Sequence, residues 1–507
     1  MDLFSIGFPT ALSLENLAYC FAGVFLGTFV GVLPGIGGLT AVALLLPVSF
    51  YLDPISALIL LAGIYYGAEY GGSTASILLN LPGTASNAVT CIDGYPMTRQ
   101  GKAGPALFIT SVGSFIGGTL GIAVLMALAP ALVSLALSFG AAEYFAAMLL
   151  GLIAAGTIGR GKPVKSVVMV LLGVCLGLAG IDINSGERRF TYGFFELFDG
   201  IPLVVVAMGL FGMSEVIASV GKIKSVTEAG RITLRSMIPD RKDMKASIMP
   251  ILRGFGVGSF FGPLPGTGPT ISAFMAYAIE KRIARQPERF GNGAVEGVAA
   301  PESANNAAVQ TSFVPTLALG IPGSATMAIM LGALMIHGIQ PGPRLMGDHP
   351  ELFWGLVASF WIGNVLLLVL NIPLIGLWVK LLQIPYRLLY PIILCMICIG
   401  VYSISNSVFD VWLVIIFGLV GYGMKLLDLE PAPLLIGFIL GPMIEAQFRR
   451  ALILTGGDYL ALMQRPIAAA FFACSALLVG WMVYAMFRRR KARPVEELPE
   501  VAEGKTL

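Results

Sequence analysis

The sequence predicts an all-α polytopic membrane protein, organised as two inverted-topology repeats with broken helices or re-entrant hairpins and an additional C-terminal helix. Three observations predict it. Hydrophobic residues make up 56% of the chain and charged residues only 12%, against roughly a quarter charged in soluble domains. Apolar windows long enough to cross a bilayer alternate with short basic clusters. A motif rich in glycine and proline in the first half returns in the second.

The mean hydropathy of +0.84 leaves no soluble domain of useful size. A net charge of +3, held in short clusters between apolar windows, fits membrane topology rather than nucleic-acid binding. A helix needs about 20 residues to cross the hydrocarbon, so the windows supply roughly ten crossings or more. The six cysteines, Cys20, Cys91, Cys175, Cys395, Cys398 and Cys474, lie in or beside apolar segments and read as small buried hydrophobes. No second pair follows Cys395-x-x-Cys398, and His337 and His349 are isolated. No metal centre and no bound cofactor is therefore expected.

Taken in order, the start Met1-Asp2-Leu3-Phe4 lacks the positive region of a cleaved signal, so the N-terminus is expected to be retained. No Lys or Arg precedes Arg99, which places residues 1–16, with Asp2 and Glu15, outside. Basic clusters at Arg99 to Lys102, at Arg160, Lys162 and Lys165, and from Lys222 to Arg253 mark the cytoplasm. Windows 105–128 and 142–158, then 166–184 and 198–219, cross out and back between them. Residues 254–280 alone separate the last cluster from Lys281, Arg282, Arg285 and Arg289. That is too little for two crossings, so a hairpin starting near Ala246 enters and leaves on the cytoplasmic side, shielded from lipid.

Window 303–319 then crosses outward, with 324–338 completing or lining that passage. Windows 352–375, 388–406, 410–426 and 431–447 alternate after it, with Lys380, Arg387 and Lys425 near inner ends. A last helix, 466–486, delivers Arg488, Arg489, Arg490 and Lys491 to the cytoplasm. The expected organisation is a first transmembrane repeat at 1–219 and a basic cytoplasmic linker at 220–253. A second repeat follows at 254–447, then a C-terminal segment at 448–487 and a disordered cytoplasmic tail at 488–507.

The repeat is explicit. Residues 23–40 read GVFLGTFVGVLPGIGGLT and residues 254–271 read GFGVGSFFGPLPGTGPTI. At an offset of 231, Gly23, Gly27, Gly31, Leu33, Pro34, Gly35 and Gly37 meet Gly254, Gly258, Gly262, Leu264, Pro265, Gly266 and Gly268. A second pair of breaks, Leu81-Pro82-Gly83-Thr84-Ala85 and Ile321-Pro322-Gly323-Ser324-Ala325, stands at an offset of 240. By the charge argument the first copy begins outside and the second inside, an arrangement recurrent in secondary transporters.

The chemistry follows from the breaks. Glycines four residues apart let another backbone approach, and packing alone accounts for Gly23, Gly27, Gly254 and Gly258. Proline followed by glycine ends a helix inside the membrane. There the unpaired N–H groups and the local dipole can hold a carboxylate without a buried Arg. Gly35, Ile36, Gly37 and Gly38 in one half, and Gly266, Thr267, Gly268 and Thr270 in the other, are the main candidate elements, with Thr40 and Thr267 offering hydroxyls and a structural kink as the alternative. Around the second breaks, Ser73, Thr74, Asn80, Thr84, Ser86 and Asn87, with Thr311, Ser312, Ser324 and Thr326, suggest a polar cavity, though any single Ser or Thr can satisfy its own helix. Glu69 is a candidate coupling carboxylate if it lies in the membrane rather than at its interface. Glu302, Asn305 and Asn306 stand at an expected helix start, as caps or as a gate.

The paired Leu-Pro-Gly-x-Gly motifs at 33–37 and 264–268, the segment Tyr66-Gly67 to Gly72 and the segment Pro301 to Ala307 resemble the large membrane subunit of tripartite tricarboxylate transporters. The resemblance runs from about residue 10 to residue 485. It implies bacterial inner-membrane import of carboxylates driven by Na⁺ or H⁺. It also implies two partners, a small membrane subunit of about four helices and a periplasmic solute-binding protein. Gly38 faces Pro269 in the alignment of the halves, which removes a backbone donor from the second loop. An uncoupled anion channel, a scaffold and an integral membrane enzyme are the rivals. The enzyme lacks an HExxH, an Asp-rich diphosphate motif or a compact Ser/His/Asp set.

Overall fold

The computed structural model describes residues 2–33, 36–156, 163–182, 185–219, 234–382 and 386–491. Gly35, Arg160, Lys162, residues 220–233 of the basic linker and the tail from 492 onward lie outside the described residues. The chain is almost entirely helical, with one two-stranded antiparallel ribbon at Gly180–Ile181 and Arg188–Arg189. Among the described residues six helices are long and apolar enough to span a membrane: Leu14–Val32, Ala103–Ala136, Pro350–Asn371, Val408–Leu426, Pro431–Leu454 and Pro466–Tyr484. The chain is thus an all-α polytopic membrane protein.

The first hairpin comprises α1 (Leu14–Val32) and α2 (Gly37–Ser49), and α3 (Pro54–Leu79) follows it. The hydroxyl of Ser56 donates to Oδ1 of Asn16 at 2.7 Å, so the chain returns through α2 to the end from which α1 set out. Gly23, Gly27 and Gly31 of α1 lie directly against the backbone of Leu60, Ile64 and Ala68 of α3, where a Cβ would strike a carbonyl. The contacts advance together, so α1 and α3 run parallel. After them come α4 (Thr90–Arg99), α5 (Ala103–Ala136), α6 (Ala141–Ala155), α7 (Pro163–Gly177) and α8 (Leu203–Ser219).

The second half repeats the opening with α9 (Arg241–Phe261), α10 (Gly268–Ile283) and α11 (Glu296–Thr311). Arg253 binds Glu280 through both carboxylate oxygens, at 2.9 and 2.6 Å, which fixes α9 and α10 as antiparallel legs of the expected hairpin. Gly254, Gly258 and Gly262 lie against Ala300, Ala304 and Ala308 of α11. The stripes are 231 residues apart, whereas the helices that receive them are 240 apart. The longer return leg and connector of the second copy absorb the difference. Asp93, fully buried on α4, holds that connector by accepting the N–H groups of Gly291, Gly293 and Ala294, each at 2.8 Å.

Helices α3 and α11 cross in opposite directions, because Asn305 reaches back to Glu69 while Glu302 meets Ser73, further along α3. The helices that follow include α12 (Phe313–Leu319), α13 (Ala325–Ile336), α14 (Pro350–Asn371), α15 (Tyr386–Ser405), α16 (Val408–Leu426), α17 (Pro431–Leu454) and α18 (Pro466–Lys491), with shorter helical segments between them. The sequence halves interleave rather than folding apart. Gly117 and Gly121 of α5 rest on Ser303 and Ala307 of α11, while Gly355 of α14 meets Ile55 and Gly363 meets Tyr66, both on α3. Farther along, Gly173 and Gly177 of α7 pack on Leu434 and Phe438 of α17. Asp182 and Arg189, in the connection between α7 and α8, form an ion cluster with Glu445 and Arg449 of α17, and the hydrogen bonds to Glu445 hold the Arg189 guanidinium above its ordinary pKa.

Two sequence expectations are corrected here. Glu302, Asn305 and Asn306 do not stand at a helix start. Helix α11 begins at Glu296, and Pro301 falls inside it, so a capping role for these three residues is excluded. The last helix does not stop at residue 486 but continues through Lys491, so residues 488–491, expected in the disordered tail, belong to it.

Candidate functional site

Each half places two chain breaks side by side. In the first, α1 ends at Val32 and α2 begins at Gly37, whose φ of +73° is accessible to glycine without strain. The second break of that half, at Gly83, lies against Gly31 and Gly72. In the second half α10 begins at Gly268, with φ of +55°. Gly266 donates its N–H to the carbonyl of Gly323 at 2.9 Å, joining the two breaks directly. Gly83 and Gly268 are buried among the surrounding helices, whereas Leu81, Pro82, Ala85 and Leu264 stay exposed; backbone groups freed at such breaks would cost several kcal/mol each if left to lipid.

All four breaks open on a single cavity of about 810 Å³. Its wall includes Ile36, Gly37, Gly38 and Thr40 from the first hairpin, and Gly266, Thr267, Gly268 and Thr270 from the second. Thr84, Ser86, Ser324 and Thr326 line it from the second breaks, and Glu69 from α3. The starts of α2 and α10 therefore face one space. Some hydroxyls are already engaged: Thr40 donates to the carbonyl of Phe211 at 3.2 Å, and Thr267 donates to the carbonyls of Phe261 and Leu264, closing its own turn.

Other candidates fall away from this wall. Asn80 is a left-handed C-cap of α3, with φ of 57°, and Gly320 plays the same part 240 residues on. Thr311 and Ser312 donate to the carbonyls of Ala307 and Val309 on their own helix, at 2.9 and 2.7 Å. Asn306 likewise donates to the carbonyl of Glu302. Thr74 is buried on α3 and does not line the cavity.

Ser73, Asn87, Glu302 and Asn305 form, with Glu69, a buried polar tie between the halves. Glu302 is 1% exposed and accepts from four side chains. Ser73 at 2.7 Å and Ser114 at 3.3 Å meet Oε2, while Asn87 at 3.2 Å and Thr90 meet Oε1. Thr84, at 2.9 Å, Ser86, and Asn305, at 3.1 Å, reach Oε2 of Glu69. Thr84 also lies 2.6 Å from Oδ1 of Asn87, so the two carboxylates share one chain of hydrogen bonds. Glu69 is therefore an interior residue of the fold, 6% exposed.

Sequence reasoning missed Tyr65, Phe211, Glu215 and Glu430 on the cavity wall, and Thr90 and Ser114 on Glu302. Glu215 closes the apolar run of α8, a signal as visible as that of Glu69. A lone serine such as Ser114, on an apolar helix, carries none. Among the described residues no group of three His, Cys, Asp or Glu is placed to hold a metal ion.

Comparison with known proteins adds a family. The model of the "Tripartite tricarboxylate transporter TctA family" matches residues 17–436. A relative from Agrobacterium vitis, described as "Uncharacterized 52.8 kDa protein in TAR-I ttuC' 3'region", is 48% identical over 476 residues, which cover 93% of this chain and 95% of that protein. A second from the same organism, "Uncharacterized protein in TAR-II ttuC' 3'region", is 51% identical over 222 residues, 44% of this chain and 92% of its own length. No solved structure matches the chain.

Proposed function

The chain belongs to the tripartite tricarboxylate transporter TctA family, and on that premise we propose that it imports an organic carboxylate, a tri- or dicarboxylate, by alternating access coupled to Na⁺ or H⁺. In this reading it sits in a bacterial inner membrane with its N-terminus in the periplasm and its C-terminus in the cytoplasm. A periplasmic solute-binding protein delivers the anion, and a small membrane subunit completes the complex.

The single observation that carries the reading is the shared cavity. Two helix starts, from hairpins in opposite halves, face one space bounded by four chain breaks. N–H groups at Gly37, Gly38, Gly268 and Thr270 are the donors for the anion, while Pro269 offers none. The antiparallel α3 and α11 supply the pseudo-symmetric pair about which one bundle can move against the other. Glu69, with Asn305 beside it, is the proposed coupling group, and Glu302 ties the two halves together next to it.

The test is uptake into proteoliposomes holding the assembled complex, with the anion chosen by a ligand screen on the cognate periplasmic receptor. Accumulation should require a Na⁺ or proton gradient and vanish when both are collapsed. Uptake indifferent to both gradients contradicts coupling, and currents far faster than receptor delivery would replace the transporter with a channel.

A further inference from the structure

The cavity is built for an anion by its helix ends yet has the wrong fixed charge for one. Glu69 stands on its wall, and among the described residues that line it there is no Lys, Arg or His; Glu215, also on the wall, is paired with Lys425 and leaves the balance to Glu69. A helix start contributes only modestly towards holding an anion, even in partly buried geometry. Taking even one carboxylate out of water costs more than one such contribution returns. Two helix starts therefore fall short for a di- or tricarboxylate, and an added cation has to make up the difference.

The buried tie singles out where that cation goes. The two interior carboxylates are not alike. Each oxygen of Glu302 meets two donors, and the residue does not line the cavity. In Glu69 every donor converges on Oε2, and none of the described residues donates to Oε1. That oxygen faces the start of α2, 3.7 Å from where a Cβ on Gly38 would stand. Beside it, Asn305 is 1% exposed, gives its amide N–H to Glu69 and leaves its own Oδ1 with no partner. A buried carbonyl oxygen without a donor, next to a half-occupied carboxylate, is the oxygen-rich setting that a small monovalent cation accepts.

We propose that Glu69, with the carbonyl oxygen of Asn305, binds one monovalent cation before the organic anion enters, and that Glu302 is a structural tie that binds none. The bound cation cancels the charge of Glu69 beside Gly38, so that the first helix start can receive a carboxylate group. Tyr65 and Gly38 line the same cavity, and the hydrogen-bond chain through Thr84 and Asn87 leads from Glu69 to Glu302. The proposal rests on the carboxylate-import reading, but cation loading is measurable without any organic acid, so the two can fail separately.

The experiment is binding of radioactive sodium to the purified complex at alkaline pH, with choline holding ionic strength constant and no organic acid present. Saturable binding is expected in the parent, with affinity reduced roughly tenfold or more in Glu69→Gln. Asn305→Ala, which removes the orphan oxygen, should weaken it as well and keeps the test open if Glu69→Gln does not fold. Glu445→Gln, in the ion cluster with Arg189, should leave it unchanged. Absence of saturable sodium binding in the parent, or equal sodium binding in the parent and both variants, would overturn it.

Discussion

Helices α3 and α11 are the same part of the repeat, 240 residues apart, and they differ in what they carry. Both receive a stripe of three glycines on the backbone of small or aliphatic residues. At that register Glu69 of α3 corresponds to Val309 of α11, and Glu302 of α11 corresponds to Ala62 of α3. The scaffold repeats and the charge does not. A pseudo-symmetric scaffold permits two related arrangements, while unrepeated carboxylates make those arrangements chemically unequal, with one cavity-facing carboxylate and one buried tie.

The largest effects should come from the part that repeats. Gly27→Val and Gly258→Val each push a branched side chain into a backbone, at Ile64 and at Ala304. Each should cost about 3 kcal/mol or more, read as loss of monodisperse protein in detergent. Tolerance of either one alone would break the equivalence of the halves. Next comes the tie: Glu302→Ala strands four buried donors and should cost about 3 kcal/mol. Thermal unfolding would register it, with Glu302→Gln closer to the parent.

Helix starts come third. Gly37→Ala and Gly268→Ala meet nothing closer than 3.9 and 3.7 Å, so only their positive φ is penalised. The cost should be about 1 to 2 kcal/mol, leaving folded protein whose uptake falls by more than its stability. Smallest is Thr267→Val, which removes a turn-closing hydroxyl worth about 1 kcal/mol. Its counterpart Ile36 has no hydroxyl, so Thr267→Val should shift the melting temperature by only a few degrees while Ile36→Val is silent.

The breaks were legible in the sequence because their cause is local. A missing side chain at Gly37 or Gly268 and a missing N–H at Pro265 act wherever the chain goes. Hydrophobic windows likewise located most spans, and the hairpin ending near Lys281 followed from charge and length together. What was hidden depends on tertiary register. Asn80 looked like a ligand until its φ identified a cap, and Thr267 looked free until its turn closed on Phe261. The interior placement of Glu302 required α11 to start upstream of Pro301, where nothing in the alanine-rich run marks a beginning. Interleaving of the halves, with α5 on α11 and α14 on α3, depends on long-range packing that no periodicity reports.

The claim on which the account turns is that the two hairpins enter from opposite faces of the membrane. It is tested most directly by placing single cysteines at Leu12, before α1, and at Lys242, on the first turn of α9, in a chain otherwise free of cysteine. An impermeant thiol reagent is then applied to vesicles of each orientation. Labelling of Leu12→Cys only from the periplasmic side and of Lys242→Cys only from the cytoplasmic side is the predicted result. Labelling of both from the same side would contradict the inverted arrangement and, with it, the shared cavity as a site of alternating access.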